Sequence, residues 1–347
     1  MRDRATTTPS SALAAQLTDL IWGYQRTQLI YVAAVLGLAD LLAESPRSVS
    51  DLAAASGTDA PSLARLLRAL AAHGLFAERE DGRFELTPLA ALLRSGTPGS
   101  LRAQVLAEGT DLYPLWGDLL HSAQTGQSAY EHLYGMPNWA YRERHPEANS
   151  RFNAYMSDVT RQKVAAVLAN YRFPTDGVVV DVGGGDGTFL AALLRQYPAL
   201  RGVLFDLPHV APAAAPILAE AGVAERCALQ AGDFFAAVPV GGDCYILSTV
   251  LHDWDDERST AILRRCREAM SPVARLLVIE RVLPADNSSP VGRLRDVHML
   301  VTNVGGRERT EAEWRAVLAE GGFQVTQVTG LVAAGTAYHV IEADPVA

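Results

Sequence analysis

The chain has 347 residues, of which 49% are hydrophobic and 20% are charged, and its formal net charge at pH 7 is −9. This length allows two domains, and this composition is that of a globular protein with a sizeable core. The acidic balance argues against binding along a phosphate backbone, which requires a basic face, so we expect no nucleic-acid partner.

The cysteines and the polar start of the chain predict where the protein works. Cys227, Cys244 and Cys266 lie in or beside apolar segments without C-x-x-C spacing, which is typical of buried thiols in a reducing compartment. Residues 1–10 are polar with no apolar h-region behind them, and the longest apolar run, 29–39, is too short to span a bilayer. We therefore expect a cytoplasmic protein with no membrane partner.

Two helices are predicted between residues 13 and 42, because apolar residues recur there at helical spacing. These residues cover more than one helix face, so the helices are buried either in a core or in a subunit interface. At this place in the chain we expect an interface and hence a homodimer. The apolar positions are Leu17, Leu20, Ile21, Tyr24, Ile30, Val32, Val35, Leu36 and Leu38.

Two short helices and a β-hairpin follow, an order typical of a winged helix-turn-helix. Ser48 and Asp59 occupy cap positions, Gly57 and Gly74 are stop signals, and the pair 81–82 is an Asp-Gly hairpin turn. Such a module either reads DNA or packs against other parts of a protein.

The charge on this module favours packing. Only Arg65 and Arg68 give the second helix positive charge, while the wing is acidic. The leucines of that helix also form a core stripe at helical spacing, at positions Leu63, Leu66, Leu67 and Leu70. We therefore interpret the module as structural.

Residues 101–170 are rich in aromatic residues and methionine and lack strong periodicity. The stretch is compatible with ordinary core, but its place at a domain junction favours a pocket for a flat apolar ligand. Phe152 and Met156 are spaced i, i+4 and would share one helix face, and Trp116 belongs to the same aromatic run. Lys163, the only lysine, we attribute to a GC-rich coding genome.

From residue 171 onward strands alternate with helices, which predicts a doubly wound α/β sheet. Its first strand runs into the glycine loop 181–187 and then a helix. A dinucleotide fingerprint fails there, because Thr188 stands where the last glycine is required. The domains that we expect are 1–100, 101–170 and 171–347.

Carboxylates follow the next two strands of this predicted sheet. Asp206 stands where an acidic residue binds the two ribose hydroxyls of an adenosine. Asp233 and Phe234 offer an acceptor for the adenine amino group and a side chain that packs on the ring. Any one of these alone is more typical of an ordinary βα turn with an aspartate cap, but their order after the glycine loop predicts a nucleoside-containing cofactor.

His252 lies just beyond the carboxyl end of the fourth strand, at the edge of such a sheet where ligands bind. A metal site made of His252, Asp253, Asp255 and Asp256 is an alternative, but four ligands within five residues do not easily converge on one ion. We expect no metal, and we interpret Asp256 as the cap of the following helix.

Six motifs follow one another along the chain, at residues 181–187, 205–210, 232–235, 251–254, 280–284 and 305–310. In this order they resemble the S-adenosylmethionine-dependent O-methyltransferase family, which includes caffeate and flavonoid enzymes of plants and antibiotic-tailoring enzymes of actinobacteria. The likeness covers nearly the whole chain. It implies a Rossmann-like class I methyltransferase domain, an N-terminal winged-helix dimerisation domain, S-adenosylmethionine as cofactor with S-adenosylhomocysteine as product, and an aromatic small-molecule acceptor.

The resemblance also implies residue roles. His252 matches the catalytic base, Glu280 and Glu308 match the two carboxylates that flank its imidazole, and Asp253 lies beside it. The implied cofactor contacts are Asp181, Gly183, Gly185, Gly187, Asp206, Leu207, Asp233, Phe234, Ser248 and Thr160. The implied acceptor-binding residues are Phe152, Met156, Met299 and Asn303, and we add Trp116 from the aromatic run to these candidates.

Two positions depart from the plant members of the family. Plant members usually carry lysine where Ser248 stands, and some carry histidine where Val159 stands. Ser248 therefore does not match the usual cofactor contact of the plant members, and their substrates are a poor guide to the acceptor of this chain. Glu280 alone is equally typical of a strand-end surface residue, and Glu308 of a loop salt bridge.

The chemistry fits the implied roles. A phenol with a pKa of about 10 is a poor nucleophile at pH 7, and a base with a pKa of about 6.5 can take its proton during methyl transfer. A carboxylate behind the imidazole orients the ring. The alternative is a relative on the same fold that catalyses hydroxylation, decarboxylation or a pericyclic step; such relatives tend to have lost the base. Nitrogen and carbon targets stay open.

Overall fold

A computed structural model of the protein describes residues 11–333 and 336–346. The polar start from which we inferred the lack of a signal segment, residues 1–10, lies outside this part. The chain forms two compact units, and the boundary falls between Tyr113 and Pro114. Among the described residues, no helix is both long enough and apolar enough to cross a bilayer.

The first unit is mainly helical and contains the predicted helix pair and hairpin. The side chains of Ser48 and Asp59 accept hydrogen bonds from the first turns of the two helices, as their cap positions predict. The elements are α1 (Ser11–Ile21), α2 (Gly23–Val35), α3 (Leu38–Leu41), α4 (Val49–Ser56), α5 (Ala60–Ala72), β1 (Phe76–Glu78), β2 (Phe84–Leu86), α6 (Pro88–Ala91) and α7 (Arg102–Ala107), followed by a π-helical turn (Glu108–Leu112).

The apolar residues of this unit separate into a core and an exposed face. On α5, Leu63, Leu67 and Leu70 are buried as predicted. On α1, by contrast, Leu17 is 59% exposed and Leu20 is 70% exposed. The single chain therefore leaves the apolar side of its first helix uncovered.

The second unit begins with helices, although the sequence showed no strong periodicity there. The longest of them buries residues on opposite sides, such as Tyr155 and Val164. A helix that packs on several sides carries no single apolar stripe, which explains why the periodicity failed. The helices are α8 (Tyr113–Gly117), α9 (Leu119–Thr125), α10 (Ala129–Tyr134), α11 (Asn138–Arg144) and α12 (Pro146–Asn170).

The rest of this unit contains a seven-stranded sheet in the order β10-β11-β7-β6-β3-β4-β5, in which β11 runs antiparallel to both neighbours and the other adjacent pairs are parallel. The predicted doubly wound sheet is thus confirmed as a mixed sheet. A small parallel pair, β8 with β9, lies outside it. The strands are β3 (Asp176–Val182), β4 (Ala199–Asp206), β5 (Cys227–Ala231), β6 (Cys244–Ser248), β7 (Arg275–Glu280), β8 (Val282–Leu283), β9 (Arg309–Thr310), β10 (Phe323–Ala333) and β11 (Thr336–Pro345).

Helices cover both faces of the sheet, and each face has its own buried cluster of apolar residues. After β3 the strand order proceeds to one side through β4 and β5, and to the other side through β6 and β7. The carboxyl ends of β3 and β6 are therefore neighbours at the point where the order reverses, which is where open α/β sheets bind ligands. The helices are α13 (Thr188–Gln196), α14 (Ala214–Glu220), α15 (Asp256–Ala269), α16 (Pro290–Thr302) and α17 (Glu311–Glu320).

Helix ends in this unit correct one prediction. Asp255, and not Asp256, caps α15, because its side chain accepts a hydrogen bond from the amide of Arg258 over 2.7 Å. Thr310 and Glu313 form a capping box at the start of α17. Since two adjacent aspartates satisfy the same cap pattern, the sequence could not tell which one occupies the position.

Candidate active site

The turn that follows β6 carries His252, which is buried. Thr249 starts this turn with φ 55°, a left-handed conformation that is unusual for a residue with a branched side chain. Glu280 at the end of β7 stabilises the turn, since its Oε1 accepts hydrogen bonds from the amides of Val250 (2.9 Å) and Leu251 (3.0 Å). A buried carboxylate thus replaces the missing backbone partners of the turn.

Arg309 holds the same turn from the opposite side. Its guanidinium donates to the carbonyls of Leu251 (3.0 Å) and Trp254 (2.9 Å) and pairs with Asp256. It is fully buried. His252 is therefore carried on a backbone turn whose amides and carbonyls are both occupied, which restricts its position.

Three carboxylates surround the imidazole of His252. Its Nδ1 lies 3.2 Å from Oε2 of Glu280 and 3.6 Å from Oε1 of Glu308, and its Nε2 lies 3.7 Å from Oδ1 of Asp253. The structure thus brings together the four residues for which a catalytic role was implied.

The carboxylates change the basicity of His252. Burial alone would lower its pKa, but the negative charges of Glu280, Asp253 and Glu308 outweigh burial and raise the pKa to about 9. The ordinary value of about 6.5 that we assumed from the sequence is therefore wrong for this site. The cause is the convergence of residues from three separate segments, which no local pattern reports.

Two cations, the buried Lys163 and the partly buried Arg281, balance these carboxylates. Arg281 pairs with Glu308 over 3.1 Å. Burial alone would raise the pKa of Glu308, but His252 and Arg281 lower it below its ordinary value. Lys163 donates to Oγ1 of Thr249 over 3.0 Å, and burial lowers its pKa to about 8. We had attributed Lys163 to coding bias, but its place in this cluster gives it a structural role.

The ligand atoms of His252, Glu280 and Glu308 lie within 4.8 Å of one another, close enough to hold a metal ion. However, Glu308 already pairs with Arg281, and Oε1 of Glu280 already accepts backbone amides. A further cation at this place would be repelled by Arg281 and Lys163. The cluster is better explained as an imidazole paired with carboxylates.

The glycine loop follows β3 at the adjacent strand end. Gly183, Gly185 and Gly187 all have positive φ, which favours glycine. Asp206 at the end of β4 lies against this loop, because its carboxylate accepts from the amides of Gly185 (2.8 Å) and Leu207 (2.7 Å). The ribose candidate is therefore hydrogen-bonded directly to the loop.

Phe234 and the turn of His252 both approach this loop. A Cβ added at Gly183 would lie 2.8 Å from a methyl group of Val250 and 3.9 Å from the ring of Phe234. Asp233 accepts from the amide of Phe235 over 2.9 Å. Gly183 is thus close both to Phe234 and to the turn that carries the base.

Helix α12 lies along the same edge of the sheet. Its Ser157 hydrogen-bonds to Asp186 in the glycine loop, and its Lys163 donates to Thr249. Thr160 is three residues from each and lies on the same helix face. The structure therefore places this cofactor candidate between the loop and the turn of the base.

Buried polar atoms at this edge fit a polar ligand such as S-adenosylmethionine. Oγ of Ser248, Oδ2 of Asp181 and Oγ1 of Thr188 are buried without a hydrogen-bond partner within 11–333 and 336–346. Such atoms are rare in protein interiors. Burial also raises the pKa of Asp181 to about 7, although the charge of Lys163 opposes this.

A chain of hydrogen bonds leads from the catalytic cluster to the acceptor-binding candidates. Nδ2 of Asn303 donates to Asp253 over 2.8 Å, Asn138 donates to Asn303 over 2.9 Å, and Arg142 donates to Asn138 over 2.7 Å. The sulfur of Met299 lies 3.9 Å from Nδ2 of Asn303. Met299 and Asn303 are therefore directly joined to the catalytic cluster.

The other acceptor-binding candidates lie around this chain of contacts. The guanidinium of Arg142 stacks 3.6 Å above the ring of Phe152, and Met156 follows one helical turn later. Trp116 donates a hydrogen bond to His298 on α16. No role was predicted for Asn138, Arg142 or His298, because their partners are distant in the chain.

Comparison with known proteins identifies both parts of the chain. A model described as an O-methyltransferase dimerisation domain matches residues 18–96, and one described as an O-methyltransferase domain matches residues 116–324. The chain is 46% identical to a phenazine O-methyltransferase of Lysobacter antibioticus, over 99% of each chain. It is 37% identical to an 8-amino-8-demethylriboflavin N,N-dimethyltransferase of Streptomyces davaonensis, over 99% of this chain and 98% of the relative.

A solved structure adds the cofactor. An O-methyltransferase from neocarzinostatin biosynthesis, in complex with S-adenosylmethionine and 2-hydroxy-5-methyl naphthoic acid, matches with a TM-score of 0.81 and 34% identity. The match covers 92% of this chain and 96% of that one. Similarity of sequence and of fold thus extends over both units.

Proposed function

The chain belongs to the S-adenosylmethionine-dependent O-methyltransferase family, and we propose that it methylates a hydroxyl group of an aromatic natural product with His252 as the general base. The observation that carries this proposal is the orientation of the buried imidazole. Its Nδ1 faces Glu280 and Glu308, which leaves Nε2 for the acceptor. Asp253 beside Nε2 leads through Asn303 to the acceptor-binding candidates.

The carboxylates make His252 a suitable base for a phenol. The negative charges of Glu280 and Glu308 favour a proton on Nδ1, so the lone pair of Nε2 takes the proton of the hydroxyl. A pKa of about 9 lies close to that of a phenol, about 10, so the proton transfer is nearly balanced in free energy. The same carboxylates then stabilise the imidazolium that forms.

S-adenosylmethionine supplies a methyl group that its sulfonium already activates. The chain has to bind this cofactor, align the acceptor oxygen and exclude water. We assign Asp206 and Leu207 to the ribose, Asp233 and Phe234 to the adenine, and the remaining contacts to the glycine loop and its neighbours. These remaining residues are Asp181, Gly183, Gly185, Gly187, Ser248 and Thr160.

The acceptor pocket is formed by side chains of α8, α12 and α16. We assign Trp116, Phe152, Met156, Met299 and Asn303 to it. The stacked Arg142 and Phe152 and the buried Met299 suit a flat aromatic ring. A hydroxyl is favoured over an amine as target, because a hydroxyl must lose its proton to become a strong nucleophile whereas a neutral amine attacks through its lone pair.

Mass spectrometry of the purified protein tests this function. The protein receives S-adenosylmethionine and a panel of hydroxylated aromatic compounds with their amino analogues, beside His252→Ala and the exposed control His73→Ala. We expect methylated hydroxyls from the wild type and from His73→Ala, and a collapse of the rate in His252→Ala. Methylation of the amines alone would contradict the proposal, as would conversion of the compounds without methyl transfer.

We also propose that catalysis needs no metal ion, since Arg281 and Lys163 already supply positive charge beside the carboxylates of the cluster. Methyl transfer should therefore continue unchanged after dialysis against a chelator. A loss of activity that divalent cations restore would contradict this.

The first unit mediates a homodimer in this proposal, because it carries the dimerisation domain and exposes the apolar side of α1. The double variant Leu17→Glu, Leu20→Glu should sediment as a monomer, since two charges would be buried in the interface. Leu120→Glu, which changes an equally exposed leucine of the second unit, is the control and should remain dimeric. A dimeric double variant would contradict the assignment.

The domain roles follow from these assignments. We propose that residues 1–100 dimerise, that 101–170 line the acceptor pocket, and that 171–347 bind the cofactor. Arg68 on the winged helix pairs with Glu78 in the wing, which supports packing and not DNA binding. Buried free thiols, Cys244 and Cys266, support a cytoplasmic location.

A further inference from the structure

His298 lies on α16, one residue before Met299, and one other side chain holds its ring. The indole Nε1–H of Trp116 donates a hydrogen bond to Nδ1 of His298 over 3.2 Å. The two rings also stack, with centroids 6.2 Å apart and planes inclined by 27°. The pair joins α8 to α16 beside Met299 and Asn303, the acceptor-binding candidates on that helix.

The contact with Trp116 determines where the imidazole of His298 carries its proton. An indole N–H is only a donor, so Nδ1 of His298 must offer its lone pair. A neutral imidazole with a bare Nδ1 carries its hydrogen on Nε2. Burial lowers the pKa of His298, and the charges of Arg295, His252 and Arg281 lower it further, to about 3. The ring therefore stays neutral over the working range of the enzyme.

The Nε2–H of His298 has no acceptor within the described ranges 11–333 and 336–346. The residue is partly exposed, and its Nε2 is not among the buried side-chain atoms that lack a partner in the described part of the chain, so this N–H keeps accessible surface. The charge of His252 acts on His298, which places the two imidazoles in the same part of the unit. The N–H is thus a donor of fixed position on the acceptor side of the base.

We propose that Nε2–H of His298 selects aromatic acceptors that carry a hydrogen-bond acceptor atom, such as a carbonyl oxygen or a ring nitrogen, close to the hydroxyl that is methylated. This inference rests on the proposed function. The donor cannot become an acceptor, because Trp116 occupies Nδ1. A substrate with a C–H at that position leaves the N–H of His298 unpaired, because its ring system displaces water from the N–H. The loss of this hydrogen bond discriminates strongly between substrates.

A pair of compounds with the same shape tests the selection. We compare a hydroxyphenazine with the hydroxyanthracene in which carbon replaces the ring nitrogens, using the full-length wild type and His298→Phe. The ratio of the two kcat/KM values should favour the nitrogen compound in the wild type and should fall about tenfold to a hundredfold in His298→Phe. His298→Gln, which restores an N–H donor, should recover part of the ratio. A ratio unchanged by His298→Phe would overturn the proposal.

Binding separates this inference from the proposed function. Calorimetric titration of the same two compounds, in the presence of S-adenosylhomocysteine, measures selection without methyl transfer. Preference for the nitrogen compound that His298→Phe abolishes would support the role of His298 even if no methyl group moved. Equal binding of both compounds by the wild type would overturn it, whatever the activity.

The tautomer provides a check that needs no substrate. Nitrogen-15 NMR of the full-length protein, assigned with His298→Gln, should show a protonated Nε2 and a bare Nδ1 for His298. Trp116→Phe should release the ring to exchange between tautomers and should reduce the substrate ratio about two- to fivefold, less than the loss of the donor itself. A protonated Nδ1 in the wild type would overturn the proposal.

Discussion

The cofactor edge and the acceptor side of the proposed active site are built in different ways. At the cofactor edge, Gly183, Gly185 and Asp206 lie in one short stretch of chain and interact largely through backbone amides. On the acceptor side, Trp116 and His298 meet although 182 positions separate them, and both act through side chains. Backbone contacts suit a cofactor that never changes, whereas side chains from separate helices can change with the substrate.

The largest effect should come from removing the base, which belongs to the acceptor side. His252→Ala should lower kcat about 100- to 10,000-fold, because no positioned side chain then takes the proton of the hydroxyl. The Kd for S-adenosylhomocysteine should stay within about twofold, since a general base contributes to proton transfer and not to cofactor affinity. Kinetics and calorimetry on the same preparation measure both. A large loss of cofactor affinity would contradict the division between the two sides.

Lys163 tests whether the two sides share one electrostatic support. Lys163→Met removes the buried cation whose charge favours the ionised carboxylates of Asp181 and Glu280, so the free energy of unfolding should fall by about 3 kcal/mol. Urea denaturation measures the change. Lys163→Arg should lose less stability, because it keeps the charge. An unchanged midpoint in Lys163→Met would show that the carboxylates do not depend on this cation.

Asp206 tests the cofactor edge alone. Asp206→Ala should weaken S-adenosylmethionine about tenfold to a hundredfold, because it removes a charged hydrogen-bond acceptor for the ribose and loosens the amides of Gly185 and Leu207. The KM for the aromatic acceptor should change little. Glu220→Ala, at an exposed carboxylate of the same unit, is the control. An equal loss of affinity for the cofactor and for the acceptor would contradict the division of the site into two sides.

The same difference explains what the sequence could predict. The glycine loop after β3 and the aspartate at the end of β4 are patterns over a few residues, and the structure has the loop and this strand end where the sequence predicted them. Where two neighbours satisfied one pattern, as Asp255 and Asp256 do, the prediction was wrong by one residue.

Contacts between distant segments of the chain could not be predicted from the sequence. Lys163, Arg309 and His298 gain their roles from partners on other strands and helices, and no spacing marks them. The basicity of His252 likewise depends on Glu280 and Glu308, which reach it from two other segments. The family resemblance named these three residues, but only their distances give the pKa.

The pH dependence of kcat/KM tests the central claim, a His252 base whose carboxylates raise its pKa. Only the unprotonated ring accepts a proton, so activity should fall as the pH drops below about 9. Glu280→Gln keeps an oxygen for the backbone amides but removes a negative charge, so the acid limb should move about one unit lower. The ionisation of the acceptor is followed separately by its absorbance. A wild-type limb near 6.5, or a limb that Glu280→Gln leaves in place, would contradict the account.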